Sequence, residues 1–230
     1  MKKAALHWSG GKDATWALYK LQQEKDIRIE CLITTFTIPY KRVSMHGIHE
    51  ELIDKQAKSI GIPLVKVWLS ESTSMESYET ELIKVLTELK QRDIDYSVFG
   101  DIFLEDLKNY REKLLKKIGV KCLFPLWNAP TNKLANDFIQ IGFKAKVVAL
   151  NASKLDQNFA GNDFDFQFLD KIPDDVDPCG ENGEFHTFVF DGPIFNQSIN
   201  FNLGEVHLKD YAKGKEGSPD SKFWFIDLIL

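Results

Sequence analysis

The residues best suited to chemistry near the start of this sequence are Ser9 to Asp13, which read Ser-Gly-Gly-Lys-Asp. They follow a short apolar strand, and apolar residues at helical spacing begin at Ala14, so we expect them to join a strand to a helix. Such a junction directs several backbone N–H groups and the positive end of the helix dipole toward one position. Gly10 and Gly11 lack a Cβ atom, which lets the backbone turn sharply and approach an anion closely. The pattern therefore predicts a phosphate-binding turn.

The polar members of this turn have different expected roles. Lys12 would place a positive charge against the phosphates, and Ser9 would add a hydroxyl donor. A carboxylate repels phosphates unless a Mg²⁺ ion lies between them, so we expect Asp13 to be a metal ligand, with helix capping as the alternative. The glycine spacing differs from that of a G-x-x-x-x-G-K-[ST] loop. An ordinary strand–helix turn is the other interpretation, but α/β nucleotide enzymes place their phosphate loop directly after the first strand.

A second dense cluster of polar residues is found at 177–187, which read Asp-Pro-Cys-Gly-Glu-Asn-Gly-Glu-Phe-His-Thr directly before a predicted strand. This composition is typical of a functional loop. The alternative is a strand-entry loop whose polar side chains serve turns and caps. Cys179 is a weak candidate nucleophile, because nothing in the sequence indicates a lowered thiol pKa. A metal site that combines His186 with Glu181 or Glu184 lacks a convincing ligand spacing.

The elements that must position these residues alternate regularly in the first half of the chain. Strands are predicted at 4–6, 27–36, 64–69, 95–100 and 120–124, and helices between them begin near 13 and cover 52–60, 71–92 and 104–118. This alternation predicts an α/β fold with a parallel, doubly wound sheet. Beyond it we expect a helix at 134–141, a strand at 144–150, a short helical stretch near 159, and strands at 186–190, 195–203, 205–208 and 223–230. We therefore divide the chain into a domain of residues 1–128 and a smaller α+β domain of residues 129–230.

In an open parallel sheet, ligands bind beyond the carboxyl ends of the strands. Thr34 and Thr35 end the second strand, so we expect an adenine ring beside them. Met45 and His46 follow in the next loop and could face the substrate; alternatively, Met45 fills the core and His46 caps a helix. Asp101 ends the fourth strand, where it would either line the same cleft or cap the next helix.

The composition narrows the classes of protein to consider. A net charge of −5 and a pI near 5.6 argue against a nucleic-acid-binding surface. The sequence has no signal-peptide pattern and no apolar run that approaches the roughly 20 residues of a membrane span. The 3 cysteines form no C-x-x-C pair, which fits a reduced cytoplasm. We therefore expect a cytoplasmic protein that binds neither nucleic acid nor membrane; whether it pairs with a second copy is left open.

The first motif resembles the S-G-G-K-D-S signature of the PP-loop ATP pyrophosphatases, with Ala14 in place of the final serine. Nearly the whole chain resembles one family among them, the diphthine–ammonia ligases. The segments that carry this resemblance are Ser9–Asp13, Ser44–Gly47, Gly100–Ile102, Pro125–Trp127 and Gly180–Thr187. The family writes the last segment approximately as G-E-G-G-E-[FY]-x-T, and here Asn182 replaces a glycine. The resemblance implies a Rossmann-like PP-loop domain that binds ATP and a C-terminal domain that closes over the substrate.

The resemblance also implies an ATP-dependent carboxylate–ammonia ligase that forms AMP and pyrophosphate. Ser9, Gly10, Gly11 and Lys12 would hold the pyrophosphate, and Asp13 would orient Mg²⁺. Glu184, helped by Glu181 and His186, would position the substrate or ammonium, while Asp101 would line the cleft. The acceptor carboxylate would be diphthine on elongation factor 2 or a related small metabolite. The Gly180–Thr187 loop lies outside the predicted nucleotide domain, and its carboxylates would repel phosphates, so we expect it to hold ammonium or a cationic part of the substrate and not a second phosphate group.

Two other functions compete with the ligase. One is a non-catalytic module that binds or senses ATP or AMP, and Ala14 favours it because a hydroxyl is missing from the phosphate side. The other is sulfur transfer to tRNA, as in other PP-loop enzymes. The acidic net charge and the absence of a cysteine pair disfavour that function.

Overall fold

A computed structural model of the chain describes residues 1–44, 46–70, 74–210 and 222–230. Two β-sheets with 6 and 4 strands organise this part of the chain. Helices cover both faces of the first sheet. None of the helices in the described ranges has the length and apolar character that a bilayer span requires.

The N-terminal half forms the larger sheet and its helices. Its elements in chain order are β1 (Lys2–His7), α1 (Lys12–Gln23), β2 (Ile27–Thr37), β3 (Arg42–Val43), α2 (Glu50–Ile60), β4 (Leu64–Leu69), α3 (Met75–Lys90), β5 (Tyr96–Val98), α4 (Glu105–Lys116) and β6 (Lys121–Leu123). β1 lies between β2 and β5, β6 follows β5, and β4 pairs with β2, all in parallel. Only the short β3, which the sequence pattern did not predict, is antiparallel.

Alternating side chains of the parallel strands fill two separate cores, one on each face of the sheet. Ala4 and Leu6 of β1 pack with α1 and α2, whereas Ala5 packs with α3 and α4. Strands that are buried on both faces read as apolar runs without alternation, and this is why the sequence identified them. The predicted α/β class with a doubly wound parallel sheet is confirmed.

The C-terminal half forms an antiparallel sheet in the order β8–β7–β10–β9. Its elements are α5 (Thr131–Gln140), β7 (Lys144–Asn151), a 3₁₀ turn (Gln157–Phe159), α6 (Phe166–Lys171), β8 (Phe185–Asp191), β9 (Asn202–Asp210) and β10 (Lys222–Ile229). Its core is continuous with the core around α1 and α2, so the two halves share one apolar interior. The predicted division at residue 128 stays a prediction.

The predicted strand at 195–203 is wrong, because residues 195–201 follow an irregular path. The Asn196 N–H donates to the Ser59 carbonyl, and the Ile199 N–H donates to the Phe190 carbonyl. Ile199 is nevertheless buried in the shared core. The apolar residues of this segment therefore reflect burial, while its backbone hydrogen bonds go to the end of α2 and to β8. Residues 202–210 form one continuous strand instead of the two predicted pieces.

One buried amide side chain connects the halves at the turn between β1 and α1. Gln56 of α2 is fully buried, and its Nε2 atom donates to the carbonyls of Gly10 (3.0 Å) and Val189 (2.6 Å). Its Oε1 atom accepts a hydrogen bond from the Trp8 indole at 2.9 Å. Gln56 therefore joins α2, the glycine turn and β8 through three hydrogen bonds.

Replacement of Gln56 by methionine should destabilise the protein strongly. Methionine fills a similar volume but leaves the buried Trp8 N–H and the backbone carbonyls without this partner, and each such loss costs about 1–3 kcal/mol. We expect Gln56→Met to lower the free energy of unfolding by about 2–4 kcal/mol in urea denaturation. Lys55→Met, at an exposed neighbouring position, should change it by less than about 0.5 kcal/mol. Equal stabilities of the two variants would contradict this role of Gln56.

Candidate active site

The glycine turn lies between β1 and α1, as the sequence predicts, and both glycines are required by close packing. Gly10 has a φ angle of +81°, and a Cβ atom on it would lie 2.6 Å from the Ile53 Cδ1 atom. A Cβ atom on Gly11 would lie 3.1 Å from the Thr187 carbonyl oxygen. The turn is therefore enclosed by α2 on one side and β8 on the other.

The first backbone amides at the N-terminus of α1 donate hydrogen bonds to two side-chain oxygens. The Gly11 N–H donates to Ser9 Oγ at 3.3 Å, and the Lys12 N–H donates to Thr187 Oγ1 at 3.0 Å. The Val189 N–H donates to the Gly10 carbonyl at 2.9 Å. The end of the Gly180–Thr187 loop and the following strand therefore lie directly on the glycine turn, although the loop belongs to the C-terminal half of the chain.

The ammonium of Lys12 is buried at the start of α1, where only 4% of the residue is exposed. It donates to both carboxylate oxygens of Asp13, at 2.8 and 2.9 Å, and lies 5.5 Å from the centre of the Phe185 ring. Burial by itself would lower the Lys12 pKa, but Asp13 outweighs it and the net shift is upward. Lys12 is therefore a fixed positive charge at the helix N-terminus.

Asp13 is the carboxylate nearest to this charge. Asp13 does not cap α1, because the N-cap residue is Gly11. Burial raises the Asp13 pKa, Lys12 lowers it, and the nearby carboxylates of Asp177 and Asp101 raise it. No group of three or more metal-ligating side chains is found in the described ranges. Mg²⁺ commonly binds one or two carboxylates plus phosphates and water, and Asp13 fits a ligand of that kind.

The acidic loop, which comprises residues 177–187, is folded around Asp177. The Asp177 Oδ1 atom accepts hydrogen bonds from the N–H groups of Cys179 (2.9 Å) and Glu181 (3.2 Å). Glu181 reaches across to the segment after β5, where its Oε1 atom accepts from the N–H groups of Ile102 (2.7 Å) and Phe103 (3.3 Å). Burial raises the Glu181 pKa to about 7, against the opposing effect of the Ile102 N–H. Glu181 therefore connects the acidic loop to the segment that follows the carboxyl end of β5 in the parallel sheet.

Glu184 is the most buried carboxylate of the loop, with 3% of the residue exposed. Its Oε1 atom accepts from the Asp177 N–H at 3.1 Å and from the Asn182 side-chain amide at 3.0 Å. Its Oε2 atom is buried and has no hydrogen-bond partner among the described residues. One oxygen of Glu184 is therefore held in place, and the other is available to a small donor.

Two histidines lie at the same turn. The rings of His46 and His186 are 4.3 Å apart and tilted by 33°, and His46 Cε1 lies 3.2 Å from where a Cβ atom on Gly11 would be. Burial, followed by the charge of Lys12, lowers the His186 pKa to about 4. His46 does not cap α2, because the N-cap residue is His49. Met45, the other residue expected to face the substrate, lies outside the described residues.

Asp101 lies near the site but is already paired. Its carboxylate accepts two hydrogen bonds from the Arg111 guanidinium, at 2.6 and 3.1 Å, and Leu104 is the N-cap of α4. The guanidinium lies 4.3 Å from the centre of the Phe99 ring, which stacks on His7 at 4.1 Å. Asp101 is therefore neither a cap nor a free carboxylate, and Arg111 holds it in place.

The two threonines predicted at the adenine site differ in their surroundings. Thr34 is buried, and its hydroxyl donates to the Trp8 carbonyl at 2.6 Å. Thr35 is half-buried, and its carbonyl accepts from the Ser44 N–H at 3.3 Å. Thr34 thus supports the backbone of the turn, and its hydroxyl is already engaged.

Cys179 is not an activated thiol. It is buried, its Sγ atom lies 3.4 Å from the Thr131 carbonyl oxygen, and burial raises its pKa to about 12. Sequence reasoning missed Gln56 and Arg111, which support this site. The available signal for Gln56 was a polar residue on the apolar face of a helix, between Ile53 and Ala57.

Comparison with known proteins gives one consistent result. The sequence models of the diphthamide synthase N-terminal domain and the diphthamide synthase C-terminal domain match residues 1–122 and 130–216. The diphthine–ammonia ligase of Schizosaccharomyces pombe is 32% identical over 134 residues, which are 54% of this chain and 22% of that protein. The enzyme of that name from Homo sapiens is 24% identical over 190 residues, 73% of this chain and 66% of that protein.

The chain therefore spans between 22% and 66% of the length of these two relatives. Among solved structures, a U34-tRNA thiolase from Methanococcus maripaludis with its 4Fe-4S cluster is similar with a TM-score of 0.38. It is 22% identical, and the match covers 61% of this chain and 57% of the thiolase.

The buried ring of His7 should make the protein sensitive to acid. Burial, followed by the charge of Arg111, lowers the His7 pKa to about 3, and Nε2 has no partner among the described residues. The His7 imidazole binds a proton more tightly in the unfolded chain than in the folded protein. The free energy of unfolding is therefore highest above about pH 6.5, where His7 is neutral in both states, and it decreases as the pH falls toward 3. When the pH falls from 7 to 5, the free energy of unfolding of the wild type should decrease by about 2 kcal/mol more than that of His7→Phe.

Urea denaturation at both pH values measures this difference. His7→Asn is the matched control: it cannot become charged either, so it should show the same reduced pH dependence although it loses the contact with Phe99. If His7→Phe keeps the wild-type pH dependence with a constant offset, His7 is not the acid-sensitive group.

Proposed function

The chain belongs to the diphthamide synthase family, and from this premise we propose that it is an ATP-dependent ligase that joins ammonia to a carboxylate. The observation that carries the proposal is the contact between Thr187 and the first amide of α1. This contact brings the Ser9–Asp13 turn and the Glu181–Thr187 loop into one site. A phosphate-binding turn and an acidic loop that meet in this way suit a reaction between a nucleotide and a cation.

The nucleotide would lie at the carboxyl edge of the parallel sheet. Ser9, Gly10, Gly11 and Lys12 would hold the β- and γ-phosphates, because a helix N-terminus and a buried ammonium both favour an anion. Thr187 and Ser9 would exchange their hydrogen bonds to the helix amides for contacts to phosphate oxygens. The adenine would lie near Thr34 and Thr35. In this division, residues 1–128 bind the nucleotide and residues 129–230 contact the substrate.

Asp13 would hold Mg²⁺ together with the phosphates. The nearby carboxylate of Asp177, which raises the Asp13 pKa, supports a cation at this place. When bound, Mg²⁺ would neutralise part of the phosphate charge. Lys12 supplies positive charge through its ion pair with Asp13.

The reaction would proceed in two displacements. A carboxylate oxygen of the substrate attacks the α-phosphorus, the bond from that phosphorus to the bridging oxygen breaks, and pyrophosphate leaves. The nitrogen of ammonia then attacks the acyl carbon, the bond to AMP breaks, and an amide forms. The protein would contribute mainly positioning and fixed charge. Lys12 would stabilise the leaving pyrophosphate, and the free Oε2 atom of Glu184 would hold the ammonium and accept the proton that it must lose before it attacks.

The acceptor carboxylate follows from the relatives. They are named diphthine–ammonia ligases, so we propose diphthine on elongation factor 2 as the first candidate and a small carboxylate metabolite as the second. Glu181 would act indirectly, since it positions the segment after β5.

The alternative is a module that binds ATP or AMP without turnover. It is favoured by Ala14, which is buried at the position where the signature has a serine. Release of pyrophosphate from ATP, measured with and without ammonium and candidate carboxylates, separates the two functions: only the ligase gives release that depends on the carboxylate.

Loss of the Lys12 charge should remove most of the turnover. Removal of one preorganised donor commonly costs about 2.7–4 kcal/mol, or a factor of about 10²–10³ in rate. We therefore expect Lys12→Met to lower the rate of pyrophosphate release by that factor. Lys20→Met, at a half-buried position in the last turn of the same helix, should keep the wild-type rate. Circular dichroism must verify that Lys12→Met is folded, since Asp13 loses its partner; a folded variant with the wild-type rate would refute the phosphate assignment.

Neutralisation of Glu184 should impair amide formation more than nucleotide binding. Glutamine keeps the shape and can accept the hydrogen bonds of Asp177 and Asn182, but it presents an amide where the carboxylate oxygen would hold ammonium. Glu184→Gln should lower ammonium-dependent amide formation at least about tenfold. Its affinity for an ATP analogue, measured by titration calorimetry, should change little. Glu181→Gln is the comparison variant and should have a smaller effect on amide formation. Loss of analogue binding with normal turnover per bound ATP would assign Glu184 to the nucleotide instead.

A further inference from the structure

The two imidazoles at the glycine turn take no part in the two proposed displacements, although the family resemblance implies that His186 helps Glu184. The rings of His46 and His186 lie 4.3 Å apart, and His46 Cε1 lies 3.2 Å from where a Cβ atom on Gly11, the N-cap of α1, would be. They therefore lie at the end of the helix where the phosphates are proposed to bind.

His46 is held firmly in this position from the C-terminal sheet. The guanidinium of Arg42 donates to the Gly47 carbonyl at 2.6 Å and forms an ion pair with Asp227 of β10 at 2.8 Å. Gly47 has a φ angle of +71°, and a Cβ atom on it would lie only 2.8 Å from the Phe225 ring. The loop that carries His46 is thus fixed between the turn and β10, and the ring orientation is defined before any ligand arrives.

The His46 ring lies beside His186 and near the Lys12 ammonium, and one of its nitrogens has no hydrogen-bond partner among the described residues. That atom is Nδ1, which is buried. The His46 pKa is lowered by burial, then by His186 of β8 and by Lys12 of α1, while the hydrogen bond to Thr187 opposes this. No carboxylate is among these groups. The lowered pKa keeps the His46 ring neutral in the free protein.

We propose that His46, supported by His186, is a further residue of the phosphate site: it takes up a proton when a polyphosphate binds and donates a hydrogen bond from Nδ1 to it. This inference rests on the proposed function, because it requires a polyphosphate at the glycine turn.

The physical reason is the charge of the ligand. Lys12 is already engaged with both oxygens of Asp13, so it neutralises only part of a triphosphate. Negative charge close to an imidazole raises its pKa, so a bound polyphosphate would have to offset the effects of burial, His186 and Lys12 and raise the His46 pKa above neutral pH. The imidazolium would then stabilise the charge that collects on the departing pyrophosphate.

The direct test is the charge state of His46 in the wild-type protein, with α,β-methylene-ATP as the probe because its α–β bridge is not cleaved. Nitrogen chemical shifts of the 5 imidazoles report protonation, and the spectrum of His46→Asn assigns the signals. At pH 7, His46 should be neutral in the free protein and cationic in the complex. A neutral His46 in both states overturns the inference, while binding of the analogue still supports the proposed function. Failure of the wild type to bind the analogue refutes the proposed function itself and this inference with it.

Calorimetry provides the second test and separates His46 from other groups. Titrations in two buffers of different ionisation heat should show proton uptake by the wild type, and the affinity should rise as the pH falls from 8 to 6, by up to about tenfold per pH unit for one proton. His46→Asn should lose most of the uptake and become weakly pH-dependent. His49→Asn, the control three residues further along the chain, should retain both properties. Unchanged uptake in a folded His46→Asn would overturn the inference; if that variant does not fold, the spectra of the wild type decide.

Discussion

The structure depends most on the way the backbone of the glycine turn is held from two sides. Gln56 binds the Gly10 carbonyl from α2, and β8 contributes the Val189 N–H to the same carbonyl and the Thr187 hydroxyl to the first amide of α1. A turn that leaves helix amides unsatisfied would otherwise be costly to bury. The C-terminal sheet therefore completes the turn, and neither half of the chain forms the site alone.

This arrangement explains how opposite charges coexist in a small volume. Lys12 remains charged although it is buried, because Asp13 is paired with it, and Asp101 is neutralised by Arg111 instead of competing for Lys12. Glu181 binds backbone N–H groups next to Asp101, and Glu184 lies deeper in the acidic loop. The Lys12 ammonium and the amide donors of α1 thus lie close to the carboxylates of Asp13 and Glu181. Such a juxtaposition suits an anion and a cation that must meet, as ATP and ammonium do in the proposed reaction.

The sequence predicted those features that local patterns encode. Apolar runs and helical spacing identified the parallel strands and their helices within a few residues, and the Ser9–Asp13 run was correctly expected to join a strand to a helix. The partners of Thr34 and Asp101 were not predictable, because the Trp8 carbonyl and Arg111 are brought to them by the strand order and by a helix face. The same limit applies to residues 195–201, whose backbone partners lie on α2 and β8. Local hydrophobic periodicity indicates which residues are buried, but it does not indicate which groups they bind through hydrogen bonds.

The two departures from the family signature affect opposite sides of the site. Asn182 donates its side-chain amide to Glu184, so it adds a partner that glycine cannot provide and orients the carboxylate more strongly. Ala14 removes a hydroxyl from the phosphate side, but Thr187 and the two histidines reach that side from the C-terminal half. Because donors at the proposed phosphate site come from both halves, the missing serine hydroxyl at residue 14 does not by itself decide for the non-catalytic module. The choice between a ligase and a binding module depends on the charge balance of the whole site, in which Lys12 and His46 have a larger share than residue 14.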